Sequence, residues 1–195
     1  MAVVFALSYM LVLTSCSNSL PPSPCVDNAS NETSNIWSGL GSLGYQIESI
    51  TGCVEKRIDF AVTANKTLCS VGFQGNDSAF ATNNPYKIQI LQVNASGGMT
   101  LVYTGSQVMQ NFAWHNLTTP VTLTPGNVYI VIVSLTNPAP SYHHSFLHYK
   151  HPSSSLIPYP RSFGSLTMIA SVMSLGSPCT NNGDETLPMI KLIMY

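Results

Sequence analysis

Arg57-Ile58-Asp59-Phe60-Ala61-Val62, then Thr63-Ala64-Asn65-Lys66, then Thr67-Leu68-Cys69-Ser70-Val71-Gly72-Phe73: on these residues the fold class turns. Residues 58–62 alternate between the two sides of the chain, the period of a half-buried strand. Residues 63–66 read as a turn, and residues 67–73 return with Cys69, Val71 and Phe73 on one face. The spacing predicts an antiparallel hairpin with Phe60 opposite Cys69. Working outward, residues 86–93 form another alternating run, with Tyr86, Ile88 and Ile90 on one side. Gly97-Gly98 punctuates it, and residues 99–104 follow as the second arm of a hairpin. Further strands are expected at residues 45–50, 108–114 and 121–123, the last ending at Pro125-Gly126. Residues 128–135 are continuously apolar and rich in β-branched side chains, which suits a central strand. Residues 146–149, 166–173 and 189–194 complete the series. The expected core includes Phe60, Val62, Cys69, Val71, Phe73, Ile88, Ile90, Val131, Val133 and Ile193.

The whole chain agrees. Its 195 residues suit one domain with a sizeable core. The hydrophobic fraction of 45% excludes a disordered chain. Only 7 Lys and Arg stand against 8 Asp and Glu, a net charge of −1, so the chain cannot neutralise a phosphate backbone and nucleic-acid binding is excluded. With 8% charged residues it also lacks the Lys and Glu that cover surface helices. No window beyond the N-terminal run shows a helical stripe. The fold expected is an all-β antiparallel sandwich, jelly-roll-like, over residues 36–195, preceded by a Ser-, Pro- and Asn-rich tether at 17–35.

Residues 2–13 are apolar apart from Ser8 and Tyr9. A run of this length is too short to span a bilayer and matches the core of an export signal, giving a signal segment at 1–16. Leu13-Thr14-Ser15-Cys16 reads as a lipobox, in which Cys16 is lipidated and the only membrane attachment is that lipid. The other reading is plain cleavage after Ser17. Setting Cys16 aside leaves Cys25, Cys53, Cys69 and Cys179, an even number in an exported chain, hence two disulfides with three possible connectivities. A Cys53–Cys69 bridge would require residues 54–56 to fold back. Sequons begin at Asn28, Asn31, Asn65, Asn76, Asn94 and Asn116; about three are expected by chance in so polar a chain.

Several motifs occur in a familiar order. Trp37, then residues 57–62, then Ser70-Val71-Gly72-Phe73-Gln74-Gly75, then Tyr86-Lys87-Ile88-Gln89-Ile90 resemble the PHR domain. That family reads Trp, I-x-F-x-V, G-V-G-L-Y-G and Y-x-V-x-I. Residues 119–129, with Pro120, Val121, Leu123, Pro125 and Tyr129, are similar to its P-V-x-L-x-P-x-x-x-Y segment. Asn181-Asn182-Gly183, Leu187-Pro188 and a last strand to Tyr195 match its end loosely. Ser70 and Gln74 depart from the family pattern, and the loop from Gly183 to Pro188 is short. The resemblance, over residues 37–195, implies a β-sandwich that binds partner proteins. The family's members are intracellular, in ubiquitin ligases and BTB adaptor proteins. In a chain with an export signal it therefore supports the fold more than the ubiquitin-linked role.

Candidate chemistry is sparse. Gly39-Leu40-Gly41-Ser42-Leu43-Gly44 matches G-x-G-x-x-G, but no strand precedes it and no βαβ unit exists, so it reads as a loose lead into the first strand. Residues 142–151 hold His143, His144, His148 and His151. On a strand, His144 and His148 stand about 13 Å apart, too far for one metal. Asp184-Glu185 sits in a turn and reads as solvated. No G-x-S-x-G elbow occurs. Catalytic residues, cofactors and metals are therefore all expected to be none. Aromatic residues are more suggestive: Trp114, Tyr142, Tyr149 and Tyr159 lie in or beside the Pro-rich stretch 137–163. Tyr142, Tyr149 and Tyr159 are the candidate ligand contacts, on loops and not on a sheet face. The function expected is an exported non-catalytic binding module for a protein partner. The alternatives are a carbohydrate-binding or adhesive module, and a hydrolase whose site the sequence does not display.

Overall fold

The computed structural model describes residues 25, 30–31, 33–50, 55–75, 81–137, 146–150, 157, 159–174 and 186–195. They form β1 (Ser30–Asn31), α1 (Ser34–Ser42), β2 (Gln46–Ile50), β3 (Glu55–Val62), β4 (Lys66–Gln74), β5 (Tyr86–Val93) and β6 (Met99–Gln107). Then come β7 (Phe112–Leu123), β8 (Val128–Leu135), β9 (Phe146–Lys150), β10 (Arg161–Phe163), β11 (Leu166–Ser174), β12 (Thr186–Pro188) and β13 (Ile190–Met194). One sheet has the order β10-β11-β3-β8-β5-β6, a second β1-β13-β4-β7, and a small third β12-β9-β2. Every pairing is antiparallel. The chain is an all-β antiparallel sandwich.

The core lies between the six- and four-stranded sheets. Ile58, Phe60 and Val62 of β3 meet Tyr86, Ile88 and Ile90 of β5 and Tyr129, Val131 and Val133 of β8 in one apolar cluster. Leu68, Val71 and Phe73 of β4 and Ile190, Leu192 and Met194 of β13 close it from the other sheet. Phe73 packs edge-on to Tyr86 with centroids 5.2 Å apart, and Phe60 lies 5.9 Å from Tyr129. The apolar run at 128–135 is indeed central, β8 being flanked by β3 and β5. The hairpin at Gly97 forms as expected: Gly97 has φ +83°, and Asn94 Oδ1 accepts from the Ser96 and Gly98 amides.

The expected β3–β4 hairpin does not form. β3 pairs with β8 and β11, whereas β4 pairs with β7 and β13. Residues 63–65 therefore carry the chain from one sheet to the other, and Phe60 is opposite Tyr129 and Met168 rather than Cys69. The Thr63 amide donates to Ser165 O at 2.9 Å, and Thr67 exchanges two backbone hydrogen bonds with Tyr195, so each end of the turn is claimed by its own sheet. Alternation fixes which side chains face inward. It is satisfied equally when two strands face each other across a core.

Cys69 does not share a face with Val71 and Phe73. The register of β4 skips it against both neighbours, making it a bulge residue. The extra residue lets Leu68, Val71 and Phe73 all enter the core despite their odd spacing. Cys69 is instead bonded to Cys25, with S–S 2.01 Å across a separation of 44 residues. This pairing replaces the Cys53–Cys69 option; Cys53 and Cys179 lie outside the described residues, as does Cys16. Ile193 is half-buried on the outer side of β13, where Ile190, Leu192 and Met194 face inward, so its expected place in the core was off by one residue. The two strands expected at 108–114 and 121–123 are one, β7, which widens against the Cys69 bulge where Pro120 sits.

The N-terminal boundary also moves. Ser30 and Asn31 pair with Met194 and Ile193, and α1 begins at Ser34, so the sandwich includes residues expected in the tether. The helix is nine residues, two and a half turns. Ile36 and Leu40, one turn apart, enter the core, and Thr33 Oγ1 accepts the Leu192 amide at 3.2 Å. Gly39 admits the Phe163 ring, whose Cε1 stands 2.7 Å from where a Cβ would be. Gly44, with φ +87°, ends the helix: its amide donates to Gly41 O, and the Tyr45 amide to Leu40 O. Two glycines of the G-x-G-x-x-G match thus have structural roles, Gly39 in close packing and Gly44 as the helix stop, while Gly41 faces open space.

Cys25→Ser is expected to lower the unfolding free energy by about 2–4 kcal/mol, by freeing the unfolded chain. Urea titration of the oxidised variant against wild type measures it, and a peptide map lacking a 25–69 cross-link in wild type contradicts it.

Candidate functional site: an aromatic patch on the four-stranded sheet

Along β7, Ala113, His115 and Leu117 turn to the core, Trp114 and Asn116 project from the outer face, and Phe112, at the start of the strand, packs partly against the core and partly beside Trp114. The register sets Trp114 beside Gly72, Phe112 beside Gln74 and Asn116 beside Ser70; Lys191 flanks Gly72 from β13. Gly72 makes the patch possible. A Cβ there would stand 2.6 and 2.7 Å from the six-membered ring of Trp114 and 2.8 Å from Phe112 Cζ. Both rings therefore settle onto the strand over that residue. They meet edge to face, centroids 5.6 Å apart at 88°. The Lys191 ammonium lies 4.8 Å from the Phe112 centroid, and Ser70 Oγ donates to Asn116 Oδ1 at 2.8 Å. The result is a rigid, partly exposed aromatic pair with a cation and amides at its rim. The sheet faces were expected to carry little but Thr, Gln and Ser; this one does not.

Two buried polar groups lie nearby. His115 joins the edges of the two sheets: Tyr103 Oη is 2.7 Å from Nε2, and Gln107 Oε1 is 2.9 Å from Nδ1. With the amide oxygen accepting, Nδ1 carries the proton and the phenol donates to Nε2, so the ring is neutral. Gly105 leaves the space: a Cβ would lie 2.6 Å from Tyr103 Oη and 2.7 Å from Nε2. Burial lowers the His115 pKa from 6.5. Lys56 is fully buried on the core side of β3, its Nζ 3.4 Å from Gln74 O and 5.8 Å from the Phe73 ring centroid. Burial lowers its pKa well below 10.5. On the opposite face of β3, Arg57 donates two hydrogen bonds of 2.6 and 2.5 Å to the Asp59 carboxylate, and these bonds raise the arginine's pKa.

The residues singled out in the sequence are scattered. Tyr159 is half-buried against the core, and its hydroxyl donates to Ser171 Oγ at 3.0 Å, so it is a packing residue rather than a free contact. Tyr149 occupies β9 in register with Ile47 and Leu187, on a strand and not on a loop. His148 stands in register with Glu48 and Pro188. Tyr142, His143, His144, His151, Asp184 and Glu185 lie outside the described residues. Among the described residues no three His, Cys, Asp or Glu gather as a metal site, and no helix is long and apolar enough to cross a membrane. Two open depressions lie among the described residues, about 410 Å³ around Lys87 and Gly105 and about 300 Å³ around Lys66 and Tyr195. The patch and the His115 cluster were missed. The alternation Phe112-x-Trp114-x-Asn116 was the available signal, but Gly72, 42 residues before Trp114 in sequence and beside it only in the fold, was not. Comparison with protein-family models and with curated proteins finds no match for the chain.

Two pH dependences are expected. His115 holds fewer protons folded than unfolded, so its contribution to stability is complete above pH 6.5 and is lost as pH falls through its lowered folded pKa. Urea midpoints from pH 8 to 5 should fall more steeply for wild type than for His115→Phe; parallel curves contradict this. Lys56 behaves likewise in the alkaline range, its full contribution returning only above pH 10.5. Lys56→Met keeps the side chain's length and removes the cost of burying an amine. The variant should therefore unfold at higher urea than wild type at pH 7, and the gap should shrink as pH rises towards 10.

Proposed function

We propose that this chain is an exported, non-catalytic binding module, a sandwich of PHR-like type that recognises a protein partner. The observation that carries the reading is Trp114, held on the outer sheet face over Gly72 and against the edge of Phe112. Core apolar residues face inward along the same strand, so the sandwich does not need Trp114 there for packing: the indole is not among the residues packed on the core. Rigid aromatic side chains with a polar rim are what protein interfaces concentrate their energy in. Lys191, Gln74 and Asn116 supply such a rim. The Cys25–Cys69 bond fits an oxidising compartment, and with the apolar run at 2–13 it supports export, with or without a lipid on Cys16.

The test is direct. The oxidised protein is applied to an array of extracellular protein domains and to a glycan array. Saturable binding to a protein is expected, with Trp114→Ala weakening it by roughly thirtyfold, the effect of removing a hot-spot side chain of about 2 kcal/mol. The variant's melting temperature should stay within about 2 °C of wild type. Binding to glycans alone would replace the protein reading with a carbohydrate-binding one. Binding that Trp114→Ala leaves intact would move the site elsewhere.

A further inference from the structure

Six strands lie at the sheet edges: β1 and β7, β6 and β10, β2 and β12. Exposed edges offer unpaired backbone groups to other chains, and proteins blunt them with brevity, charge, proline or bulges. Five of the six are blunted here. β1 has two residues, β10 and β12 have three each, with Arg161 and Pro188 among them, β2 carries Glu48, and β7 carries Pro120. β6 is the exception in that its one such device is a single bulge, at Val102. Its nine residues, Met99-Thr100-Leu101-Val102-Tyr103-Thr104-Gly105-Ser106-Gln107, include no charge and no proline. Among the described residues, no strand pairs with its free side.

A second observation coincides with it. The β5–β6 register shifts at Val102, with Ile90 opposite Tyr103 but Leu91 opposite Leu101. Ile90 and Tyr103 face the core; Leu91, opposite Ile130 on β8, faces out. The bulge therefore turns Leu101 and Met99 outward, where they are 48% and 59% exposed. With the half-buried Leu91, Val93 and Val128 they make one apolar area on the outer face, reaching the open edge.

We propose that β6 is a self-association edge, at which two copies of this chain pair β6 to β6, antiparallel, about a two-fold axis. The two six-stranded sheets then run on as one. Unpaired N–H and C=O groups call for a strand as the partner. An antiparallel two-fold contact is self-complementary, so one surface serves both copies. Because β6 has no charge, the pairing sets no like charges opposite each other. The outward turn at Val102 brings Met99 and Leu101 of each copy beside those of the other, which removes the exposed apolar groups from water. A second copy thus answers both the backbone and the side chains of this edge. The inference is independent of the Trp114 patch, which lies on the other sheet.

Sedimentation of the purified, oxidised chain over a wide concentration range tests it, with amide hydrogen exchange on the same samples. The apparent mass should climb from one chain to two, and the amides of residues 99–103 should gain protection as it does. Leu101→Lys places a charge on the outward face of the edge and should weaken self-association at least ~10-fold, while the far-ultraviolet spectrum shows the same sheet content. A chain that stays monomeric at every concentration overturns the proposal. So does a dimer whose protection falls on residues 112–116, or one that Leu101→Lys leaves unchanged.

Discussion

The structure depends on a short crossing. Residues 63–65 take the chain from the centre of the six-stranded sheet to the centre of the four-stranded one, so two strands adjacent in sequence face each other across the core. Each then needs other partners for its hydrogen bonds. β3 finds β8 and β11, and β4 finds β7 and β13. Nearly all of these pairings join residues far apart in the chain. The layered arrangement follows from that one displacement, because apolar faces that might have lain side by side now bury each other.

The bulge at Cys69 is the adjustment that makes the crossing work. Without it, Leu68 and Val71 would point to opposite sides of β4, and one of them would leave the core. The residue left over by the bulge is buried, as expected, but apart from the main apolar cluster, and it is a cysteine, joined to Cys25 before β1. The same irregularity on the neighbouring strand produces the wide part of β7 near Pro120. Before that wide part β7 runs in regular register with β4 from Phe112 to Asn116, which places Phe112 and Trp114 over Gly72.

What could be read in the sequence was the facing of side chains within single strands. Tyr86, Ile88 and Ile90, the apolar run of β8 and the turn at Gly97 were legible because each depends on neighbours within a few residues. Partnership was not, since residues 58–62 alternate in the same way whether the next strand lies beside them or opposite. Ile193 was misplaced because Ile190, Leu192, Ile193 and Met194 are all apolar, and only Lys191 hints at the outward parity. The helix at Ser34 escaped notice since just Ile36 and Leu40 mark its inner face and, besides Trp37, the rest is Ser, Gly and Asn. Of the candidate site, Trp114 was visible as an aromatic residue at the end of an expected strand, but its outward face was not singled out. Attention to histidines clustered at 142–151 passed over His115, whose role comes from Tyr103, Gln107 and the space at Gly105.

The Cys25–Cys69 bond also decides how the domain bears load. A pull on the N-terminal segment would otherwise reach the sandwich through β1, whose two residues at the sheet margin would unzip from β13 one hydrogen bond at a time. The covalent link delivers the force instead to β4, which is held on both sides by β13 and β7. Dislodging an interior strand means breaking both ladders together. For a domain held at its N-terminal end, the weak margin is bypassed and the strongest part of the sheet becomes the point of attachment.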